Sequence, residues 1–152
     1  PSFLPDRFEP GTPNIPGILG LHAALCDLEQ TDMDRLHQHE LELTQYFING
    51  LMQMDPSEST LRAIGKHNTI ERTSVVSVQT LQTDMARVAY EMDDTYGIMT
   101  RVGLHCAPSA HKTLGTYPEG TIRFSFGPEN THHEVDLALH ALAEITGSPY
   151  HL

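Results

Sequence analysis

The sequence predicts a two-layer α/β sandwich, a short and mainly antiparallel sheet with helices on one face. Three observations predict it. Thr73-Ser-Val-Val-Ser-Val-Gln79 and Thr121-Ile-Arg-Phe-Ser-Phe126 are short runs of β-branched or alternating apolar residues, the pattern of strands. Four other stretches carry apolar residues at helical spacing. Their order, α-α-β-β-α-β-loop-β-α, brings short strands together with helices able to cover them.

With 152 residues, 39% hydrophobic and 19% charged, the chain can bury a core and is neither disordered nor fibrous. Twenty acidic against nine basic residues give a net charge of -11, which argues against general binding to nucleic acid or anionic membrane. No run approaches the length of a membrane span, and the start is not signal-like. Two cysteines far apart in sequence do not make a disulfide framework, so a cytoplasmic, reducing compartment is expected. A start at Pro1 without methionine suggests processing or a piece of a larger protein.

Residues 1–15 hold four prolines and no helical period, and read as an extended arm. Phe3, Leu4 and Phe8 on this arm are expected to meet a further domain or a partner subunit. Residues 16–152 read as one compact domain. Pro16 suits a first helical turn, and Ile18, Leu21, Leu25 and Leu28 mark one face, with Cys26 as packing. Thr31 and Asp34 resemble a capping box for a second helix with Leu36, Leu43, Phe47 and Leu51 as its stripe. Gly50 should weaken that helix, and Asp55-Pro56-Ser57 should end it. Thr60 to Gly65 is a strand candidate, and residues 66–72 are a polar turn before the stronger strand. Thr83-Asp84 caps a third helix with Met85, Val88, Ala89, Met92 and Tyr96 on one side, closed by Gly97. Ile98 to Arg101 reads as a short strand leading into a loop. In the strand at 121–126, Ile122, Phe124 and Phe126 face one way and Arg123 the other. Thr131 with Glu134 is a capping box for the last helix, with Val135, Ala138, Leu139, Leu142 and Ile145 apolar and Gly147 at its end.

The loop Arg101-Val-Gly-Leu-His-Cys-Ala-Pro108 holds Cys106 with a histidine beside it and an arginine five residues back. Cationic neighbours favour a thiolate, so Cys106 is either a nucleophile or a buried structural thiol. Ten histidines, with His37-x-His39 and His132-His133, raise the alternative of a metal site. No Cys-x-x-Cys or His-Glu-x-x-His is present, so none is expected. A cysteine hydrolase would need His105 or His111 as base, and adjacent residues in an extended loop point apart. A non-catalytic interaction domain is a further possibility.

Phe8-Glu-Pro-Gly-Thr-Pro-Asn14, Arg101-Val-Gly-Leu-His-Cys-Ala-Pro108, Thr121-Ile-Arg-Phe-Ser125 and Asn130-Thr-x-x-Glu-Val-Asp136 together resemble, in order and spacing, the C-terminal portion of cysteine desulfurases. These are class V aminotransferase-type enzymes that use pyridoxal 5'-phosphate (PLP) on fold type I. The resemblance implies that residues 16–152 are the small C-terminal domain of that fold. It also implies a homodimeric enzyme that converts cysteine to alanine and passes sulfur, as a persulfide, to an acceptor protein for iron-sulfur cluster assembly. Cys106 would be the nucleophile. Arg123 would bind the substrate carboxylate, with Arg101 as a second cation. Gly11 and Thr12 would meet the cofactor phosphate of the other subunit. Leu104 stands where short-loop members often have a further histidine. The cofactor lysine of such enzymes lies upstream of the Gly-Thr-Pro-Asn turn. Ser109-Ala-His-Lys112 imitates its surroundings in the wrong place, so Lys112 is read as a solvated loop lysine. Alone, this chain is expected to hold no PLP and to be inactive. A related class V aminotransferase or a selenocysteine lyase would share these motifs.

Overall fold

The computed structural model describes residues 2–9 and 11–150. Packing divides the chain into two compact units, residues 1–35 and 36–152, a boundary later than the end of the expected arm.

In the first unit the arm is not wholly extended. Asp6–Phe8 forms one turn of 3-10 helix, with the Phe8 amide donating to the Pro5 carbonyl at 2.9 Å. Helix α1 (Ile15–Gln30) starts as Pro16 suggested, and the Asn14 side chain accepts from the Gly17 amide at 3.2 Å. Ile18, Leu21, Leu25 and Leu28 do share the helix but are all exposed, and α1 buries no residue. Cys26 is therefore not core packing. It is half-buried, with its Sγ 3.8 Å from His22 Nδ1. The expected capping box at Thr31 is also replaced. The Thr31 hydroxyl donates back to the Asp27 carbonyl at 2.8 Å and closes α1, while the Asp32 carboxylate accepts from the Arg35 amide at 3.0 Å. A carboxylate at the positive end of a helix is the stronger acceptor, and it takes the cap.

Helix α2 (Met33–Met54) buries Leu43, Phe47, Ile48, Leu51 and Met54, a stripe at helical spacing. Four strands follow its end: β1 (Leu61–Ile64), β2 (Val75–Thr80), β3 (Arg101–Gly103) and β4 (Thr121–Ser125). They pair in the order β1-β2-β4-β3, antiparallel throughout. Helix α3 (Met85–Tyr96) links β2 to β3, the short α4 (Pro108–Leu114) links β3 to β4, and α5 (His132–Thr146) closes the chain. Alternation sends Val76, Val78, Ile122 and Phe124 into one core with Phe47, Met92, Leu139 and Leu142. The opposite sheet face carries Arg62, Ser77, Arg123 and Arg101.

The predicted caps of α3 and α5 are present. Asp84 accepts from the Arg87 amide at 2.8 Å, and Thr131 and Glu134 form a reciprocal capping box. The strand expected at Ile98–Arg101 begins only at Arg101. Gly97 ends α3 at φ 66°, and the Ile98 amide turns back to the Met92 carbonyl at 2.9 Å, so pairing cannot start until the chain has left the helix. The segment after Cys106, expected as loop, is α4. Pro108 opens it and Gly115, at φ 70°, ends it, the usual placement of these two residues.

Gly50 costs α2 helix propensity, as expected, but it also makes room. A Cβ there would lie 2.9 Å from Leu139 Cδ2 and overlap the other methyl of a fully buried side chain. Gly50→Ala should gain up to about 1 kcal/mol of helix propensity and lose about 1–3 kcal/mol to overpacking. The expected outcome is a lower urea midpoint with an unchanged slope, and a raised midpoint would show that Leu139 repacks freely.

Asp55 ends α2 and organises the next loop. Its buried carboxylate accepts from the Thr60 and Leu61 amides at 2.6 and 3.0 Å and from the Ser57 and Ser59 hydroxyls. Burial alone would raise its pKa. The Leu61 and Thr60 amides and the two hydroxyls outweigh burial and hold it at about 2. The folded value lies below the unfolded one, so the carboxylate stabilises the fold above about pH 4. That contribution, on the order of 2 kcal/mol, is lost as pH falls through 2. In urea titrations, the stability gap between the native protein and Asp55→Ala should close between about pH 4 and pH 2. A gap independent of pH would remove the carboxylate from this account.

Candidate functional site

The site is built on the polar face of the sheet. Arg123 sits mid-strand on β4, with Ser77 of β2 as its partner on one side and Arg101 of β3 on the other. Its strand neighbour Phe124 is only 4% exposed and packs on the Phe47 ring at 4.8 Å between centroids. The core thereby holds Arg123 on the opposite face, where it is half-buried. Among the described residues, Arg123 Nε is buried without a hydrogen-bond partner.

β3 leads directly into the cysteine turn. The Ala107 amide donates to the Leu104 carbonyl at 2.8 Å, which makes His105 and Cys106 the two central residues. Both have positive φ, 50° and 60°. For residues with a Cβ this costs roughly 1–2 kcal/mol each, so contacts outside the turn must hold it. Cys106 is exposed, and an Arg101 Nη2 donor lies 4.0 Å from its Sγ. His105 Nε2 lies 3.1 Å from the Thr121 carbonyl oxygen and 3.2 Å from Thr121 Oγ1. Behind it, at 5.8 Å between ring centroids, is His111, buried on α4 with Nδ1 2.7 Å from Thr116 Oγ1. Burial pushes the His105 pKa below the ordinary histidine value. The Thr121 carbonyl opposes this, and the charges of Arg123, His111 and Arg101 add to it.

The structure thus brings Arg101, Cys106 and Arg123 together in the second unit. Gly11 and Thr12 belong to the first. There they lie exposed ahead of α1, with a bend at Gly11, and a Cβ at Gly11 would meet nothing within 4 Å. Lys112 is exposed, as expected, but on α4 instead of in a loop, with its ammonium 5.0 Å from the Tyr117 ring centre. Among the described residues, no three His, Cys, Asp or Glu side chains gather as metal ligands. His39 of the His37-x-His39 pair bonds the Asn130 carbonyl at 2.9 Å, and His132 packs edge-on against Tyr46. For a cysteine hydrolase, His105 and His111 are turned to Thr121 and Thr116 and not to Cys106. Thr121 carries no local sequence signal for its contact with His105. That contact spans a separation of 16 residues, which no local pattern encodes.

The profile of the family described as Aminotransferase class-V matches residues 2–138. The chain belongs to this family. Its relatives include a probable cysteine desulfurase of Pyrococcus abyssi, 34% identical over 144 residues, or 95% of this chain and 34% of that protein. A probable cysteine desulfurase of Borreliella burgdorferi is 32% identical over 89% of this chain and 31% of its own length. Among solved structures, the apo cysteine desulfurase of Thermococcus onnurineus NA1 superposes with a TM-score of 0.80 at 34% identity, covering 94% of this chain and 34% of that one. This class-V aminotransferase chain therefore spans about a third of the length of the relatives it matches. The antiparallel sheet with its helices is the α/β small domain of fold-type I enzymes that the motifs implied.

Proposed function

We propose that this chain is the C-terminal domain of a PLP-dependent cysteine desulfurase, with Cys106 as the sulfur-accepting thiol. The observation that carries this reading is the placement of an exposed cysteine on a left-handed turn, next to Arg101, whose strand partner is Arg123. A guanidinium fork matches a carboxylate in two parallel hydrogen bonds, so Arg123 anchors the carboxylate of substrate cysteine. Its buried, unpartnered Nε fits a ligand supplied from outside the sheet. Arg101 favours the thiolate of Cys106. That thiolate attacks the substrate sulfur: the S–S bond forms, and the substrate's Cβ–S bond breaks. Its electron pair stays with the carbon skeleton, which takes up a proton and leaves as alanine. The sulfur remains on Cys106 as a persulfide for an acceptor protein, and no external oxidant or reductant is consumed.

The exposed Thr12 hydroxyl and the unobstructed Gly11 backbone fit a phosphate group. They would contact the PLP phosphate of the partner subunit in a homodimer, and PLP, when bound, supplies the sink for the electron pair released by C–S cleavage. The cofactor lysine of such enzymes is not among the motifs matched here, and catalysis is assigned to the proposed parent and not to these residues alone. No helix among the described residues is long and apolar enough to cross a membrane. Two free cysteines accord with cytoplasmic work in iron-sulfur cluster assembly.

The parent protein, supplied with PLP and cysteine, should release alanine. Arg123→Ala should raise KM for cysteine by roughly tenfold to a hundredfold with a smaller change in kcat, because it removes a charge-assisted pair to the bound substrate. An absence of alanine formation, or an unchanged KM, would overturn the reading.

A further inference from the structure

We infer that His105 is the positioning residue of the cysteine turn: through Thr121 it fixes the left-handed backbone that keeps the Cys106 thiol in the cationic field of Arg101. The inference rests on Cys106 being the working thiol, and it assigns to His105 a task other than acid-base chemistry.

A backbone carbonyl can only accept, so the 3.1 Å contact with the Thr121 carbonyl places the ring proton on His105 Nε2. Nδ1 is then a bare lone pair, buried and without a partner among the described residues. A second proton there would create a buried unpaired N–H, where burial first, and Arg123, His111 and Arg101 after it, already lower the affinity of the ring for protons. In this tautomer His105 commits its one donor to Thr121. It has no free donor for the thiol, and Arg101 is the polar group bonded to Cys106.

The turn needs such an anchor. Two successive left-handed residues with side chains are held between Leu104 and Ala107, and neither is Asn or Gly, which tolerate that backbone best. Thr121 is itself almost fully buried and paired in register with Gly103 across β3 and β4. The anchor is thus the rigid sheet, and the same β3 strand that supplies Arg101 leads into the turn. If His105 lets go of Thr121, the turn can relax to right-handed φ and carry Cys106 away from Arg101.

The test compares alkylation of Cys106 by anionic iodoacetate and neutral iodoacetamide in the apo protein, followed by peptide mass spectrometry. The ratio of the two rates cancels general accessibility and thiolate fraction and reports the local positive field. Arg101→Ala should lower the ratio about threefold or more. His105→Ala should lower it by a similar factor, and the double variant should fall little further. His105→Gln, long enough to donate to Thr121, should keep the native ratio. His105→Asn tolerates the left-handed backbone but is too short to reach, and it should behave as Ala. Thermal melts identify any variant that fails to fold; the Gln and Asn pair decides the matter if Ala is one of them. A native ratio in a folded His105→Asn or a folded His105→Ala, or a ratio lost in a folded His105→Gln, would overturn the assignment. Because neither cysteine nor PLP is present, failure of the desulfurase reading would leave this result unchanged.

Discussion

Cys106→Ser in the PLP-loaded parent protein should reduce sulfur transfer from cysteine by about 10³-fold or more, because it removes the atom that forms the new S–S bond. The protein should still take up PLP with its usual absorbance. Cys106 lies in the second compact unit, on an exposed turn, whereas Gly11 and Thr12, the proposed phosphate contacts, lie in the first. Transfer at the native rate would show that another thiol or another loop carries the sulfur. Loss of PLP together with activity would show instead that the turn supports the cofactor.

Phe47→Ala should produce the largest loss of stability among single core changes. Phe47 is fully buried on α2, and its ring meets Phe124 at 4.8 Å and Phe126 at 5.3 Å between centroids. It is the joint between the helix layer and the site strand. Truncation removes the transfer energy of a large ring and leaves a cavity, at about 3–5 kcal/mol, or a fall in Tm of roughly 10–20 °C for a domain of this size. The effect should reach the site, since Phe124 is what holds Arg123 on the opposite face of β4. A Tm lowered by only a few degrees would mean that the layer can collapse around the gap.

The parts of the fold that were legible in the sequence are those set by short-range chemistry. Asp84, the Thr131–Glu134 box, Gly97 and Gly147 mark helix ends through bonds between residues three to six apart. The alternation of 121–126 named both the buried Phe124 and the outward Arg123. What escaped depends on tertiary context. Gly50 is a breaker by propensity, yet it is needed because Leu139, far along the chain, occupies the space of its side chain. The exposed leucines of α1 have the spacing of a core face, but spacing does not say whether anything in the same chain covers it. Thr31 carried the cap signature and lost the cap to Asp32, because two acceptors a residue apart compete and the carboxylate is stronger. Of the site, Cys106, Arg101 and Arg123 could be named from their motifs, and the antiparallel register of β3 and β4 explains why the two arginines meet. The left-handed pair at 105–106 and its anchor at Thr121 could not. A His-Cys dipeptide carries no signal for positive φ, and the bond that holds it crosses from the turn to a strand that follows α4.

The most direct test is to locate the sulfur. The PLP-loaded parent protein is incubated with cysteine without an acceptor, quenched by alkylation and digested without reductant. The expected result is alanine in solution and a peptide containing Cys106 heavier by one sulfur atom, removable by a thiol. Alanine formation with the extra sulfur on Cys26 or on any other cysteine, and none on Cys106, would contradict it.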